Sequence, residues 1–531
     1  MNKRKRQHIW EYREAKNIRP AHKLILLILI VTGILSTVKF ADWWFRSAHI
    51  GFLPLYILLS LILWYGILRL IFIWINYLRI KKPKHVTALE NLSVAIFTTS
   101  SPGEPLSMFD KTLEACARIS YPHTTYLLDD TQDPAFKKMA EKHGAVCLEL
   151  VGIPGAKAGK VNKALELTNQ DFILILDPDH IPFPNFLDEV LGHFKEEKVG
   201  FVQVSQAYYN QYRSFTAKGA AEQTYTFYGP TLMGLYGFGG SVAIGANCTF
   251  RREALNSIGG HGIGLAEDLI TSIRLHAKGW KSVFVPKVVS RGLVPEDFGS
   301  FCKQQLKWSR GVHEMLFEEW PRLFRKLNFW QRLSYFLIGT YYLVGATSFF
   351  YFIIPYLFFW ADLLPARMYF SEFLINILPI GIIAVSIYLF VQNWLSHPEI
   401  ERGLHLRGMV LKFACWPVFL HGLLLSLVNV DIPYIPTAKK ADIGHYTPFA
   451  RPLIIQFIIF ILTTVFVFYK RQYLIPESEL AITSEITWGM MAFALLAITM
   501  VIGGMYAVWE SKRLKEEEPW SKIDLDDIRI K

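Results

Sequence analysis

Two groups of long apolar segments enclose one polar segment, and this pattern limits the possible folds more than any other feature. The apolar runs cover residues 24–38, 51–78, 333–360, 373–395, 453–469 and 486–509. A membrane-spanning helix needs about 20 mostly apolar residues. Only 19% of the 531 residues are charged, whereas about a quarter is usual in soluble domains. The sequence therefore predicts a multi-pass membrane protein with a polar domain inserted between its helices, and it excludes a disordered chain or a small disulfide scaffold.

The first apolar run, residues 24–38, is short enough to resemble the core of a secretory signal peptide. It lacks a cleavage site of small residues, and a second long apolar run follows closely. We therefore expect an uncleaved membrane span.

Basic residues flank the first two spans and predict their orientation. Lysine and arginine fill residues 3–6 before the first span, and Arg79, Lys81, Lys82 and Lys84 follow the second. Because basic flanks stay in the cytoplasm, we expect the polar domain to be cytoplasmic and the chain to lie in the inner (plasma) membrane. The net charge of +11 is attributed to this topology and to contact with anionic lipids of the bilayer. No dense basic helix is present, so no nucleic-acid partner is expected.

The segment 409–428 can be interpreted in two ways. It is about long enough to span the membrane, but Lys412, Pro417 and His421 interrupt its apolar pattern. As an interfacial helix it keeps the following loop inside, and as a span it reverses everything downstream. Periodicity does not decide between the two.

The polar domain alternates strand-like and helix-like segments. Strands are predicted at 93–99, 125–128, 145–150 and 172–176, and helices at 105–119, 136–143 and 160–167. Such alternation predicts a mostly parallel sheet covered by helices. Ligands of these sheets bind beyond the carboxyl ends of the strands. Acidic residues follow several of these strands, so they become candidates for chemistry.

Asp177 and Asp179 directly follow an apolar strand and are separated by Pro178. Two carboxylates on a rigid turn can face a hard divalent cation, and Mg²⁺ typically combines one or two protein carboxylates with substrate phosphates. An isolated Asp-x-Asp is also common in ordinary acidic turns. Its position after a buried strand favours a site for Mg²⁺ (or Mn²⁺).

Asp129 and Asp130 end another strand and could accept hydrogen bonds from a base or ribose, although a solvated turn would look the same. Lys157 lies in a loop of small residues before a helix, where backbone amides and a cation can approach phosphate. The Gly-Lys-Ser/Thr ending of a Walker motif is absent.

Glu267 and Asp268 begin a helical pattern, where a carboxylate could act as a general base or simply cap the helix. Gln304 and Trp308 lie shortly before the third span. The indole ring offers a flat apolar face that suits a sugar, and it would equally suit an interfacial anchor.

Taken in order, these motifs resemble those of the membrane-embedded processive family 2 glycosyltransferases, in particular the bacterial cellulose synthase catalytic subunits. The residues that carry the resemblance are Glu104, Asp129, Asp130, Lys157, Asp177, Asp179, Glu267, Asp268, Gln304, Lys307 and Trp308. The resemblance covers the polar domain and most of the carboxyl-terminal membrane region. It implies an α/β GT-A (Rossmann-like) cytosolic glycosyltransferase domain inserted between transmembrane helices, and an inverting mechanism.

The resemblance also implies roles for these residues. The nucleotide-sugar group comprises Glu104, Asp129, Asp130, Lys157, Asp177, Asp179 and Lys307. Asp129 and Asp130 would hold the uridine, Lys157 the diphosphate, and Asp177 and Asp179 the metal ion. Asp268, next to Glu267, would be the general base that deprotonates the acceptor hydroxyl. Gln304 and Trp308 would hold the acceptor sugar at the mouth of a transmembrane channel.

A loop after residue 428 matches the family's gating loop at Thr437 and Lys439. Because a gating loop must face the cytoplasm, the resemblance favours an interfacial segment 409–428 and six spans. Several positions depart from the family pattern: Ala266 replaces Thr in Thr-Glu-Asp, Lys307 replaces Arg in Gln-x-x-Arg-Trp, and Pro102-Gly103 replaces Tyr-Asn before Glu104. Arginine presents a planar fork and lysine only a point charge, so we expect the diphosphate contact at Lys307 to differ from that of the family.

The expected organisation has three parts: 1–86 with the amino-terminal segment and two spans, 87–311 with the glycosyltransferase domain, and 312–531 with interfacial helices, gating loop and about four spans. The expected reaction is the processive polymerisation of a β-glucan from UDP-glucose, with extrusion of the growing polysaccharide and a periplasmic or cell-envelope export partner. The alternatives are another polysaccharide (from an N-acetylated sugar, or a β-1,3 or mixed-linkage glucan), a non-processive transfer to a lipid acceptor, and a catalytically inactive channel.

Overall fold

The computed structural model describes residues 9–430, 432–433, 439, 447–473 and 480–530. A polar α/β domain lies between two groups of long helices, as the apolar pattern predicts. Thr437 lies outside the described residues.

Eleven strands are present in the described part of the chain. They are β1 (Arg13–Glu14), β2 (Val94–Thr99), β3 (Thr124–Asp129), β4 (Val146–Glu149), β5 (Phe172–Leu176), β6 (Ile181–Pro182), β7 (Val199–Val204), β8 (Cys248–Arg251), β9 (Lys281–Val285), β10 (Lys287–Val288) and β11 (Ser290–Arg291).

The α-helices of the amino-terminal half are α1 (Pro20–Trp44), α2 (Leu53–Leu78), α3 (Leu106–Ala117), α4 (Pro134–Lys142), α5 (Ala156–Leu167), α6 (Phe186–Val190), α7 (Phe215–Glu222), α8 (Leu232–Gly237) and α9 (Arg252–Ser257). Those that follow are α10 (Glu267–Ala277), α11 (Phe298–Glu314), α12 (Trp320–Leu323), α13 (Phe329–Gly339), α14 (Val344–Ala361), α15 (Phe370–Val391), α16 (Pro398–Glu401), α17 (Leu406–Ala414), α18 (Trp416–Leu427), α19 (Thr447–Tyr473) and α20 (Leu480–Ser511).

The central sheet has seven strands in the order β4-β3-β2-β5-β8-β7-β9. Strands β4, β3, β2 and β5 are parallel, and β8 alone runs against its two neighbours. The observed sheet is therefore mixed rather than wholly parallel. Its parallel half contains the acidic strand ends. The chain moves from β2 outward to β3 and β4 and then returns to β5 on the other side of β2, which creates the topological switch point where such sheets bind ligands.

Burial explains why these segments form strands. Every residue of β2 and β5 is buried, and strands covered on both faces are continuously apolar. Ile96 and Leu174 pack on one face of the sheet, and Phe97 and Ile175 pack on the other. The two faces rest on separate clusters of helices, which fixes the edge that carries the acidic residues.

Six helical segments among the described residues are long and apolar enough to cross a membrane. They are Pro20–Trp44, Leu53–Leu78, Phe329–Ala361, Phe370–Trp394, Pro448–Tyr473 and Glu485–Ser511. Helices α17 and α18 pass the same test only together, and they are bent by 49° at their junction. The segment 409–428 is thus a bent pair, which forms a seventh span only if both halves belong to one crossing. Six apolar helices make this a multi-pass membrane protein.

The carboxyl-terminal tail after α20 returns to the α/β domain. Trp520 is 1% exposed and packs in the same cluster as Met108 and Phe109 of α3. The backbone of Arg529 exchanges hydrogen bonds with Trp10 and Tyr12 near the amino terminus. The tail therefore joins α3 to the beginning of the chain.

Candidate active site

The turn after β5 carries the densest group of metal-ligand atoms. Oxygen or nitrogen atoms of Asp177, Asp179 and His180 lie within 4.8 Å of one another. Thr112 on α3 donates a hydrogen bond to the carbonyl of Pro178 at 2.6 Å, which fixes the turn. Two carboxylates and an imidazole suit Mg²⁺ or Mn²⁺ better than a soft metal. This acidic cluster can bind a divalent metal.

His180 is the third member of this cluster. Its buried Nδ1 has no hydrogen-bond partner among the described residues and lies 3.7 Å from Asp179 Oδ1. Its Nε2 lies 2.6 Å from Gln206 Nε2, and the ring packs against the backbone of Gly292. An amide nitrogen only donates, so Nε2 accepts here and Nδ1 carries the proton; coordination of a metal through Nδ1 requires the Gln206 amide to turn its oxygen toward Nε2.

Asp179 is held on both oxygens. The backbone N–H of Leu293 donates to Oδ2 at 2.8 Å, and Lys439 donates to Oδ1 at 2.9 Å. Burial alone would raise the pKa of Asp179, but the charge of Lys439 outweighs it and lowers the pKa. Asp179 is therefore ionised, as a metal ligand must be.

Lys157 lies at the start of α5, after Gly155 in the left-handed conformation (φ +91°). Its ammonium donates to Asp177 Oδ1 and to the carbonyl of Gly245, both at 2.5 Å. Burial alone would lower the pKa of Lys157, but Asp177 and Glu267 raise it. The structure thus brings a permanent cation to the carboxylates that the sequence assigned to metal and diphosphate.

The two carboxylates at the end of β3 face different ways. Asp129 is 3% exposed and accepts hydrogen bonds from the hydroxyls of Ser100 (2.5 Å) and Thr131 (2.8 Å). A central cavity opens at this edge of the sheet, and Asp130 lines it whereas Asp129 does not. Asp130 accepts hydrogen bonds from Gly152 N and Lys160. Of the pair, Asp130 is thus the one that lines the cavity.

Glu104 follows the end of β2 in a tight turn, where its carboxylate accepts a hydrogen bond from Ser101 N at 2.9 Å. Burial raises the pKa of Glu104 to about 7, and the charge of Lys439 opposes this shift. Glu104 lines the same cavity as Asp179.

Glu267 and Asp268 form the first turn of α10, as the helical pattern predicts. Burial, followed by the charge of Glu267, raises the pKa of Asp268 to about 7. Asp268 Oδ1 accepts a hydrogen bond from Leu269 N at 2.8 Å, and a Cβ at Gly245 would lie 3.5 Å from Oδ2. A carboxylate with a pKa near neutrality is suited to general base catalysis.

Gln304, Lys307 and Trp308 lie on α11. Asp297 caps the start of this helix by accepting a hydrogen bond from Ser300 N at 2.8 Å. All three line the cavity. Burial lowers the pKa of Lys307, and the charge of Glu267 opposes this shift. Trp308 is half-buried.

One cavity of about 680 Å³ unites these groups. It is lined by the sequence-predicted residues Glu104, Asp130, Lys157, Asp177, Asp179, Glu267, Asp268, Gln304, Lys307, Trp308 and Lys439. It also extends between the membrane helices, where it is lined by Arg69, Ile73, Tyr77, Leu337, Tyr341 and Tyr342. The cavity therefore reaches from the acidic edge of the sheet into the helical region.

Some lining residues were not singled out by the sequence. Tyr341 and Tyr342 are inconspicuous in an aromatic-rich apolar run. Lys160 follows Lys157 at a spacing of three on α5, and only the fold shows that it turns inward. His180 could have been found, because it directly follows the two aspartates.

Comparison with known proteins gives consistent results. The model of the family "Glycosyl transferase family group 2" matches residues 172–506. The cellulose synthase catalytic subunit [UDP-forming] of Komagataeibacter sucrofermentans is 29% identical over 341 residues, which cover 62% of this chain and 43% of the relative. Cellulose synthase 1 catalytic subunit [UDP-forming] of Komagataeibacter xylinus is 30% identical over 294 residues, which cover 54% of this chain and 38% of the relative. The matched part therefore spans less than half the length of these relatives.

Among solved structures, a mannosyltransferase of Pyrobaculum calidifontis in complex with GDP-Man and Mn²⁺ aligns with a TM-score of 0.47 and 16% identity. The alignment covers 71% of this chain and 99% of that chain.

The family match covers more than half of the chain and includes the turn after β5, α10 and α11. The mixed sheet, with its acidic edge at the switch point, is of the GT-A class expected from the sequence. The chain is a multi-pass membrane glycosyltransferase that belongs to glycosyl transferase family group 2.

Proposed function

We propose that the protein is a processive inverting glycosyltransferase that polymerises a β-glucan from UDP-glucose and passes the product between its own membrane helices. The single observation that carries this proposal is the continuity of the cavity. The same cavity is lined by Asp177, Asp179 and Asp268 at the sheet and by Tyr341 and Tyr342 of the third span.

The donor would lie along the edge of the sheet. Asp177, Asp179 and His180 would hold Mg²⁺ or Mn²⁺, and Lys157 would add a cation to the diphosphate. The bound metal would neutralise the leaving diphosphate. Lys307 on α11 would add a second point charge in the same cavity.

Asp268 would take the proton of the acceptor hydroxyl while that oxygen attacks the anomeric carbon and UDP leaves on the opposite face. Its raised pKa places it near the pH at which a base transfers protons most efficiently. Gln304 and Trp308, one turn apart on α11, would hold the acceptor sugar against this base.

The product would then contact aromatic side chains. Tyr342 donates a hydrogen bond to buried Gln305 at 3.3 Å, and Arg69 donates to the carbonyl of Leu337 at 2.6 Å. Both contacts satisfy polar groups in the part of the cavity that lies between the membrane helices. Aromatic faces with polar edges suit a sugar chain, because they bury its C–H faces.

The proposal places the six apolar helices in the inner membrane, and the amino terminus, the domain 87–311 and the loop that carries Lys439 on the cytoplasmic side. Basic residues Arg79, Lys81, Lys82 and Lys84 support this orientation, since they follow α2 directly. Lys439 beside Asp179 supports a loop that covers the donor from the same side. A cell-envelope export partner would receive the polymer on the opposite side.

One observation favours a second candidate, transfer of a single sugar to a lipid. An apolar groove of about 700 Å³ between α2 and α13 shares Arg69 and Leu337 with the central cavity. Its walls include the exposed side chains of Leu61, Leu68 and Phe336. A lipid acceptor could approach the active site by this route.

Product size separates the two candidates. The full chain in lipid nanodiscs is given UDP-[¹⁴C]glucose and Mg²⁺, and the product is sized by gel electrophoresis and digested with linkage-specific glycosidases. The proposal expects a polymer that a β-glucanase degrades. A labelled product that extracts into organic solvent as a single glycolipid would favour lipid transfer instead.

A further inference from the structure

We propose that Lys160 is a positioning residue for the nucleoside of the donor, and that it acts by holding Asp130 and the turn after β2. This inference rests on the proposed function. Lys160 lines the central cavity but was assigned no role by the sequence motifs.

The sheet order locates the nucleoside. Asp130 follows β3, Asp177 follows β5, and β2 lies between these strands. Neighbouring strands are about 4.8 Å apart, so the ends of β3 and β5 are separated by about 10 Å along the sheet edge. Asp268 lies on the far side of β5, on α10, which packs with α9 and β9. A donor with its diphosphate at Asp177 and its sugar toward Asp268 must therefore place its nucleoside toward Asp130.

Lys160 is 2% exposed and makes three hydrogen bonds there. Its ammonium donates to the carbonyl of Ser100 at 2.6 Å, to the hydroxyl of Ser101 at 3.2 Å and to Asp130 Oδ2 at 3.3 Å. An ammonium group has three donors and no acceptor. All three donors are used inside the protein, so Lys160 has none to offer a ligand directly.

Asp130, in contrast, can still bind a ligand. One oxygen accepts Gly152 N at 3.1 Å and the other accepts Lys160, and its side chain is 28% exposed. A carboxylate oxygen has two lone-pair sites, so each oxygen keeps acceptor capacity. The N–H group of an imide base or the hydroxyls of a ribose match this remaining capacity.

The same lysine links Asp130 to the neighbouring strand end. Ser101 N donates to Glu104, and Ser100 donates its hydroxyl to Asp129. One buried ammonium therefore ties the turn after β2 to the turn after β3, which together form the wall of the cavity on the nucleoside side. Without it, Asp130 loses the contact that fixes its Oδ2.

The test measures the affinity of the full chain in nanodiscs for UDP by isothermal titration calorimetry, in the presence of Mg²⁺. Lys160→Met is expected to weaken UDP binding about tenfold, which corresponds to about 1.4 kcal/mol. Lys163→Met is the matched control, because Lys163 lies one turn further on the same helix and pairs with exposed Glu166. In K160M the loss should appear in the KM for UDP-glucose rather than in kcat, since no group at the reacting atoms is altered.

A double mutant distinguishes positioning from a general structural effect. If Lys160 acts through Asp130, the K160M/D130N variant binds UDP no more weakly than D130N alone, because effects of residues in one network are not additive. Additive losses would overturn the inference. If K160M does not fold, Lys160→Gln replaces it, and the same comparison decides.

The outcomes separate this inference from the proposed function. A wild-type protein that binds no UDP would overturn the proposed function. A wild-type protein that binds UDP with the same affinity as K160M would overturn the role of Lys160 and leave the proposed function standing.

Discussion

Lys439 donates a hydrogen bond to Asp179 at 2.9 Å, although 260 residues separate the two along the chain. The contact links the segment after α18 to the turn after β5. It places a cation on a carboxylate oxygen that a divalent metal would also need. In the absence of donor, lysine and metal therefore compete for Asp179.

Lys439→Met should tighten the binding of Mn²⁺ to the nucleotide-free protein. A charge-assisted hydrogen bond contributes about 1.5–3 kcal/mol, so we expect an increase in Mn²⁺ affinity of roughly tenfold. Electron paramagnetic resonance of free Mn²⁺ measures this directly. Lys326→Met, at an exposed lysine outside the cavity, is the control. An unchanged or weaker affinity in K439M would show that the two cations do not compete.

The pH dependence of turnover should depend on Glu267. Asp268 must be ionised to accept a proton, and its pKa is raised to about 7, so activity should increase as the pH rises through about 7. Glu267→Gln removes a negative charge that contributes to this shift. The acidic limb of the profile should therefore move to lower pH.

The rate of UDP release, measured from about pH 5 to about pH 9, gives this profile on both sides of the raised pKa. Glu253→Gln, an exposed substitution on α9, should leave it unchanged. An acidic limb that stays in place in E267Q would remove Asp268 as the titrating base.

Gly245→Ala should abolish turnover at a modest cost in stability. Gly245 has φ +76°, and an added Cβ would lie 3.5 Å from Asp268 Oδ2. The methyl group would occupy the space beside the base that an acceptor hydroxyl needs. The strained backbone should cost about 1–2 kcal/mol.

Gly239→Ala is a matched control for this substitution. Gly239 has φ +73°, and an added Cβ there would meet nothing within 4 Å. Both variants should lower the melting temperature by similar amounts, and only G245A should lose turnover. Full activity in G245A would show that the acceptor does not approach Asp268 from this side.

Trp520→Ala should destabilise the α/β domain. The indole is 1% exposed, and its N–H donates to Ser107 near the start of α3 at 3.0 Å. Removing a buried tryptophan side chain typically costs about 3–5 kcal/mol. Differential scanning fluorimetry should report a lower melting temperature, whereas Trp488→Ala, on an exposed position of α20, should change it little. Equal effects of the two substitutions would show that the tail does not support α3.

The sequence predicts much of this fold because its signals are local. Apolar runs mark the spans, and the strand predicted at 172–176 coincides with β5. The acidic residues after β3 and β5 then fall on one edge, because parallel strands end on the same side of a sheet. The antiparallel β8 was not predicted, since its direction depends on long-range pairing with β5 and β7.

The orientation of individual side chains could not be predicted in the same way. Asp129 and Asp130 are adjacent and chemically identical in the sequence. Ser100, from the neighbouring strand end, decides that Asp129 turns inward. The carbonyl of Gly245 that receives Lys157 has no sequence signal either, because every residue carries a carbonyl.

A vesicle experiment tests most directly whether the donor site and a passage through the membrane share one cavity. Inside-out membrane vesicles that contain the full chain are given UDP-[¹⁴C]glucose and Mg²⁺ outside, and a β-glucanase is added outside the vesicles before or after detergent. The account predicts a labelled polymer that resists the enzyme until detergent opens the vesicles, and none with Asp268→Asn. Labelled polymer that is degraded without detergent, or formed equally well by D268N, would contradict it.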